Sequence, residues 1–221
     1  MYNTYAYKMD DVFDLTGIRQ FVKLCHVYSC LEHIDNPKIL DVGCGWGEVK
    51  EFLDKNSYRC NYVSLDITNN RFKDNNFVCF DLTRGESLPF ANSEFDVVLM
   101  LDSLQNIEIE SGKRAISEIS RVLKQGGVVC ISTRNSLMKA DEDSEHHLVR
   151  WNILELLATI KENFLYVSRV YGVNYGYNEK EVISDNGGNP LVDFLPDRFF
   201  RVLCGVYDWK KCKCVMVDCI K

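Results

Sequence analysis

The segment Ile39-Leu-Asp-Val-Gly-Cys-Gly-Trp-Gly-Glu-Val49 runs from an apolar stretch through three glycines at alternate positions into a charged, helix-forming stretch. That order reads as a strand, a tight turn and a helix start. Glycines there let the backbone turn sharply and approach a ligand, while free amides at a helix start favour electron-rich groups. The pattern is that of a nucleotide-type cofactor loop, although glycine turns between strand and helix also occur for structural reasons alone. Two acids further along sharpen it. Asp66 ends the next apolar run, Tyr62-Val-Ser-Leu-Asp-Ile67, where a carboxylate can accept from both ribose hydroxyls of an adenosine. Asp81 follows a third run, Phe77-Val-Cys-Phe-Asp-Leu82, where it can accept from an adenine amino group while Leu82 touches the ring. Alone, each acid also reads as a solvated strand end or a helix cap. Three strand ends in step favour a shared ligand.

Outward from this loop, strand-like and helix-like patterns alternate from Pro37 to Tyr171, which implies parallel strands joined by helical crossovers. Strands are predicted at Lys38–Val42, Asn61–Leu65, Asn76–Phe80, Phe95–Leu101, Val128–Thr133 and Phe164–Val170, and helices at Glu48–Leu53, Glu110–Leu123 and Trp151–Ile160. Unbroken apolar runs suit strands covered on both faces. Gly126-Gly127 is expected to end the second helix as a left-handed cap. Ahead of the pattern, Asp11–Leu31 reads as one or two leading helices, and after it Gly172–Asp197, with four glycines and two prolines, reads as an irregular insertion. Phe199–Tyr207 and Cys212–Ile220 read as an antiparallel hairpin at a sheet edge. The chain is expected to be one domain over 1–221, with a helical cap at 1–36, a cofactor-binding core at 37–171, a substrate-side insertion at 172–198 and closing strands at 199–221.

The 221 residues are 46% apolar and 12% aromatic, enough for a substantial core. Lys and Arg number 26 against 32 Asp and Glu, a net charge of −6, so no overall positive field gathers nucleic acid. The longest apolar runs, such as Val97–Leu101, fall far short of the roughly 20 residues that span a bilayer. The N-terminal stretch has neither the basic start nor the apolar core of a secretory leader, and the reading is a cytoplasmic protein. Of ten cysteines, Cys60, Cys79, Cys130 and Cys214 fall in predicted strands, which points to reduced core thiols rather than a disulfide framework. Cys204, Cys212, Cys214 and Cys219 lack a Cys-x-x-Cys pair and alternate like a strand, so no metal is expected there.

Taken together, Leu40-Asp-Val-Gly-Cys-Gly-Trp-Gly47, Leu65-Asp66, Asp81-Leu82, Ser87-Leu-Pro-Phe90, Phe95-Asp-Val-Val98 and Arg121-Val-Leu-Lys-Gln-Gly-Gly127 resemble the class I S-adenosylmethionine-dependent methyltransferases, of the small single-domain type acting on metabolites or sugars. These pieces span Pro37 to Arg134. The resemblance implies a Rossmann-like, doubly wound seven-stranded sheet, mostly parallel with an antiparallel C-terminal hairpin, and S-adenosylmethionine as the cofactor, with S-adenosylhomocysteine as product. It implies that Asp41, Gly43, Cys44, Gly45 and Gly47 line the methionine and ribose portion. It further implies that Asp66 and Ile67 hold the ribose, Asp81 and Leu82 the adenine, and Leu101 with Asp102 the far wall. Arg19 is a candidate for the methionine carboxylate, and Tyr2, Tyr5 and Tyr7 for a lid.

A sulfonium methyl is already activated, so the protein has mainly to align a nucleophile with it and exclude water. Relatives often carry a small helix ending in His after the fourth strand, whereas this chain reads Leu101-Asp-Ser-Leu-Gln-Asn-Ile107, with Asn106 at the usual His place. The candidate bases for a hydroxyl acceptor are therefore His146 and His147, in a rim loop, and Asp102. Each has a plain alternative: a solvated loop for the histidines, a cofactor-side contact or helix cap for Asp102. Tyr171, Tyr175 and Tyr177, with Asn174 and Asn178, suit a sugar or flat polar metabolite, and equally the packing of a loop. The Asn-Pro-Pro-aromatic motif of DNA amine methylation is absent. The expected partner is a small-molecule or glycan acceptor, and no nucleic acid. Two other classes stay open: a nicotinamide-dependent oxidoreductase, which also uses a ribose-binding acid after a glycine loop but with Gly-x-Gly-x-x-Gly spacing, and a non-catalytic binding subunit on the same fold.

Overall fold

A computed structural model describes residues 23, 24, 26–28, 30, 31, 33–68, 76–136, 151–164, 166–175 and 212–221. A leading helix, α1, is seen at residues 23, 24, 26–28, 30 and 31. Then follow β1 (Lys38–Val42), α2 (Glu48–Lys55), β2 (Asn61–Asp66), β3 (Phe77–Cys79), β4 (Phe95–Leu101), α3 (Ile109–Val122), β5 (Leu123–Arg134), α4 (Ile153–Asn163), β6 (Tyr166–Tyr175) and β7 (Cys212–Ile220). The strands make one sheet in the order β3-β2-β1-β4-β5-β7-β6. The first five pair in parallel, and β7 runs antiparallel to both of its neighbours. This is the Rossmann-like, doubly wound α/β sheet with an antiparallel C-terminal pair.

Both sheet faces are covered, which is why the strands read as continuous apolar runs. Leu40, Val42, Val98, Met100, Val129 and Ile131 point to one side and pack with Ala115, Ile116 and Ile119 of α3 and Leu156 and Ile160 of α4. Ile39, Val97, Leu99 and Cys130 point to the other and pack with Leu24, Val27 and Leu31 of α1 and Phe52 and Leu53 of α2. The two-residue period of a strand thus sorts each side chain to one helical layer or the other. The motif residue Arg121 has a structural role: its guanidinium donates to the carbonyls of Phe90 (2.9 Å) and Leu88 (3.0 Å) while pairing with Glu118. Glu118 in turn accepts from the Leu88 amide (2.8 Å), so α3 fixes the Leu-Pro-Phe loop.

Four expectations change. Helix α3 ends at Val122 rather than at the glycine pair, because β5 begins at once and pairs Leu123 with Phe95. Gly126 still adopts φ 74, but inside the strand, where the register jumps between Phe95 and Val97. Strand β6 runs on to Tyr175, past Gly172, because β7 offers it a continuous antiparallel partner from Ile220 to Cys212. The antiparallel pair at that edge joins Tyr166–Tyr175 to Cys212–Ile220, with β7 inserted between β5 and β6; Phe199–Tyr207 lies outside the described residues. Finally, Cys79 is exposed and Cys60 half-buried, since β3 is the edge strand and Cys60 precedes β2, whereas Cys130 and Cys214 are buried as expected. Cys30, Cys44, Cys60, Cys79, Cys130, Cys214 and Cys219 are free thiols. Among the described residues, no helix is long and apolar enough to cross a membrane.

Where α3 crosses Trp151, a side chain of any size is excluded. A Cβ on Gly112 would sit 2.4 Å from Trp151 Cζ2 and 3.1 Å from Leu104 Cδ2, and Trp151 is wholly buried, its indole donating to the Leu104 carbonyl (3.3 Å). In an open helix Gly→Ala gains about 1 kcal/mol. Here Gly112→Ala is expected to lose about 1–3 kcal/mol through overpacking, as read from urea denaturation. A stabilised variant would contradict this packing.

Candidate functional site

The carboxyl ends of β1, β2 and β4 open onto a cavity of about 400 Å³. A doubly wound sheet places its ligand crevice at this edge, where loops diverge to opposite faces. The floor is the loop between β1 and α2. Gly43 (φ 76) turns left-handed and gives its amide to the Leu65 carbonyl at 2.7 Å, followed by Cys44 at 3.1 Å. A Cβ on Gly43 would lie 2.0 Å from Ser103 Oγ, so only glycine fits. The Ser103 hydroxyl lies 3.1 to 3.3 Å from the carbonyls of Val42, Gly43 and Leu101, joining the ends of β1 and β4.

Asp41, Gly43, Cys44, Gly45, Asp66 and Ile67 all line this cavity, and so do Asp81, Leu82, Leu101 and Asp102. Gly47 is not on the wall; it is the left-handed N-cap residue of α2 (φ 79). Arg19, His146, His147, Tyr2, Tyr5, Tyr7, Tyr177 and Asn178 lie outside the described residues, as do the side chains of Tyr171, Asn174 and Tyr175. The wall also holds Asn106, noted above at the usual His place, and residues not expected there from sequence: Trp46, 59% exposed; Glu48 in the first turn of α2; and Phe80 and Thr83. Phe80 stands directly before Asp81, and a strand-end aromatic beside an acid already singled out was the available signal.

Each acid of the wall has a different environment. Asp41 is buried, and desolvation pushes its pKa up to about 7 against the hydrogen bond from the Tyr62 hydroxyl (2.6 Å), with Asp66 and Glu48 adding repulsion. Asp66 Oδ2 accepts from the Gly45 amide at 2.9 Å, tying the glycine loop to β2. Asp81 caps the short turn Leu82–Arg84, accepting from the Thr83 amide (2.9 Å) and hydroxyl (2.7 Å), and these bonds hold its pKa below the usual value. Burial first, then the charge of Asp102, raises that of Glu48. The Cys44 thiol is pushed up to about 12, chiefly by burial, so it stays protonated and unreactive.

Asp102 adopts a left-handed backbone (φ 53), with its amide donating to the Ser132 carbonyl (3.0 Å). Its carboxylate is engaged on both oxygens, by Lys23 of α1 on Oδ2 and by the Ser132 hydroxyl (3.0 Å) on Oδ1. Lys23 is itself buried. The available signal was that Lys23, His26 and Cys30 share one face of a helix whose neighbouring positions are apolar.

Residues 40–131 match the family described as "Methyltransferase domain". The phthiotriol/phenolphthiotriol dimycocerosates methyltransferase 1 of Mycobacterium ulcerans is 29% identical over 135 residues, 56% of this chain and 49% of that protein. The sterol 4-C-methyltransferase strm-1 of Caenorhabditis elegans is 28% identical over 144 residues, 59% of this chain and 41% of its own length. The chain thus spans about half the length of the curated relatives it matches. Among solved structures, a SAM dependent methyltransferase from Archaeoglobus fulgidus superposes with a TM-score of 0.64 at 14% identity, covering 93% of this chain and 96% of that one. The matched segment forms the glycine loop, the acid-tipped strands and the cavity between them, so this part of the chain is similar to a methyltransferase domain, and the chain shares the fold of the Archaeoglobus fulgidus enzyme.

Proposed function

We propose that the chain binds S-adenosylmethionine in this cavity and transfers its methyl group by in-line displacement to a small-molecule acceptor, with a hydroxyl oxygen as the attacking atom. One observation carries the cofactor reading: Asp41, Glu48, Asp66, Asp81 and Asp102 line the cavity, and no Lys or Arg of the described residues does. Such a wall favours a ligand bearing a sulfonium and an ammonium and disfavours a dinucleotide with its anionic pyrophosphate. The same charge pattern sets the nicotinamide alternative aside.

Asp66 would accept from the ribose hydroxyls, with Asp81, Leu82 and Phe80 about the adenine and the Gly43–Gly45 backbone beneath the methionine portion. The sulfonium supplies the activated methyl group. The chain's residues supply orientation, a wall that excludes water, and a fixed negative field. Asp102 is the carboxylate proposed to take the acceptor's proton, but its bonds to Lys23 and Ser132 must loosen for it to do so. His146 and His147 remain the other proposed bases. Support for a small acceptor comes from the relatives named above, one of which is named for a sterol carbon; carbon and nitrogen acceptors therefore belong in any screen beside hydroxyls.

Asp66→Ala is expected to weaken S-adenosylmethionine binding about 100-fold or more, by loss of two hydrogen bonds to a charged acceptor, with an unchanged far-UV spectrum. Calorimetric titration of the full chain, with NAD in parallel, checks this. Unchanged affinity in Asp66→Ala sinks the ribose assignment, and NAD binding in place of the sulfonium sinks the cofactor.

Asp41 makes a pH prediction. Its carboxyl titrates near 7 in the free protein, and a bound cation favours the ionised form, so binding below pH 7 must expel a proton. Affinity should rise with pH from about 5.5 towards 7 and level off above it, by at most about tenfold per unit. Asp41→Asn should flatten that component, since the amide cannot ionise. Identical profiles for wild type and Asp41→Asn would overturn this linkage.

A further inference from the structure

On the sheet face opposite α3, away from the reacting groups, four metal-ligating side chains converge. We propose that His26, Cys30, Cys130 and Asp218 form a binding site for one zinc ion that fastens α1 to the sheet. This stands independently of the methyltransferase reading.

The convergence follows from two simple periodicities. His26 and Cys30 are four residues apart on α1 and so share one helix face. Cys130 and Asp218 are direct cross-strand partners of β5 and β7, so both point to the same sheet face, the one that α1 covers. His26 Nε2 lies 2.9 Å from Asp218 Oδ2 and 3.2 Å from Cys30 Sγ, and Cys30 Sγ lies 3.8 Å from Asp218 Oδ2. All four ligand atoms fall within 4.8 Å of one another. A tetrahedral zinc with bonds of about 2.0–2.3 Å sets its ligand atoms about 3.3–3.8 Å apart, so the cluster needs only small adjustments to admit the ion.

A second observation points to a cation. Asp218 is 2% exposed, and its Oδ1 has no hydrogen-bond partner among the described residues. A carboxylate removed from water with one oxygen unmet is costly, and a divalent ion beside it offsets that cost. The donor set of two sulfurs, one imidazole nitrogen and one carboxylate oxygen suits zinc, whereas calcium and magnesium prefer oxygen alone. On binding, two Zn–S, one Zn–N and one Zn–O bond form, and the protons held by the thiols and by the ligating imidazole nitrogen pass to solvent. Cys30, the one ligand that is not fully buried, lies on the route of entry. One turn before His26, Lys23 reaches Asp102 on the cavity wall, so the ion would fix the helix that backs the proposed cofactor site.

The test uses the full chain, reduced and stripped with a chelator. One equivalent of Co2+ should give the near-ultraviolet thiolate-to-cobalt charge-transfer band and the intense visible absorption of a tetrahedral site, both abolished by Zn2+. Zn2+ should also protect Cys30, mapped by mass spectrometry, from iodoacetamide, while exposed Cys79 stays reactive. Cys30→Ser and Asp218→Asn, each checked by circular dichroism, should lower Zn2+ affinity beyond the roughly 10- to 100-fold typical of outer-sphere changes. Because the cobalt and protection experiments use the wild type, misfolding of either variant leaves them decisive. Absence of the charge-transfer band, unchanged affinity in a folded Cys30→Ser, or recovery of a Cys30–Cys130 disulfide without metal would each overturn the site.

Discussion

The close passage of Gly43 against Ser103 is the constraint on which the rest of the site depends. At the end of β1 the chain must leave the sheet, and it does so with a left-handed residue whose Cα faces a neighbouring hydroxyl, with no room for a side chain. That contact lets one serine sit among the last carbonyls of both β1 and β4. The Leu65 carbonyl accepts from the Gly43 and Cys44 amides, drawing β2 into the same junction. Three strand ends are thereby held at fixed separation, and the cavity is the space left between their diverging loops. Bulk at position 43 would push β1 from β4 and close or distort that space.

Around this junction, four of the wall's carboxylates are placed where each is satisfied differently. Asp66 is spent on the glycine loop, Asp81 on its own turn and Asp102 on α1, while Asp41 is kept dry beneath them with a tyrosine hydroxyl for company. Burying like charges together is unfavourable in the free protein, and the raised pKa of Asp41 is one expression of that cost. A bound cation relieves it. The same fields that strain the cavity therefore favour a positively charged ligand.

Helix α1 links the two chemically loaded regions. Its buried face carries Lys23 to the cavity wall and, one and two turns on, His26 and Cys30 to the strand pair of Cys130 and Asp218. Polar groups on the buried stripe of a helix are costly unless partnered. Their partners come from β4, β5 and β7, so the docking angle of α1 is set by directional contacts as well as by Leu24, Val27 and Leu31.

The strand-and-helix alternation, the parallel core and the glycine loop are legible in the sequence because they are local: a two-residue or 3.6-residue apolar period and a run of glycines carry their own geometry. The sequence also placed Asp41, Asp66, Asp81 and Asp102 at one edge, since parallel strands all end on the same side. Tertiary structure decided the rest. The end of α3 moved to Val122 because β4 offered Leu123 a partner, and β6 extended to Tyr175 because β7 offered one too, and neither partner is visible locally. The pairing of Lys23 with Asp102 spans 79 residues and that of His26 with Asp218 spans 192. No spacing rule reaches so far along a chain. Only the packing of a helix across the sheet brings those groups within bonding distance.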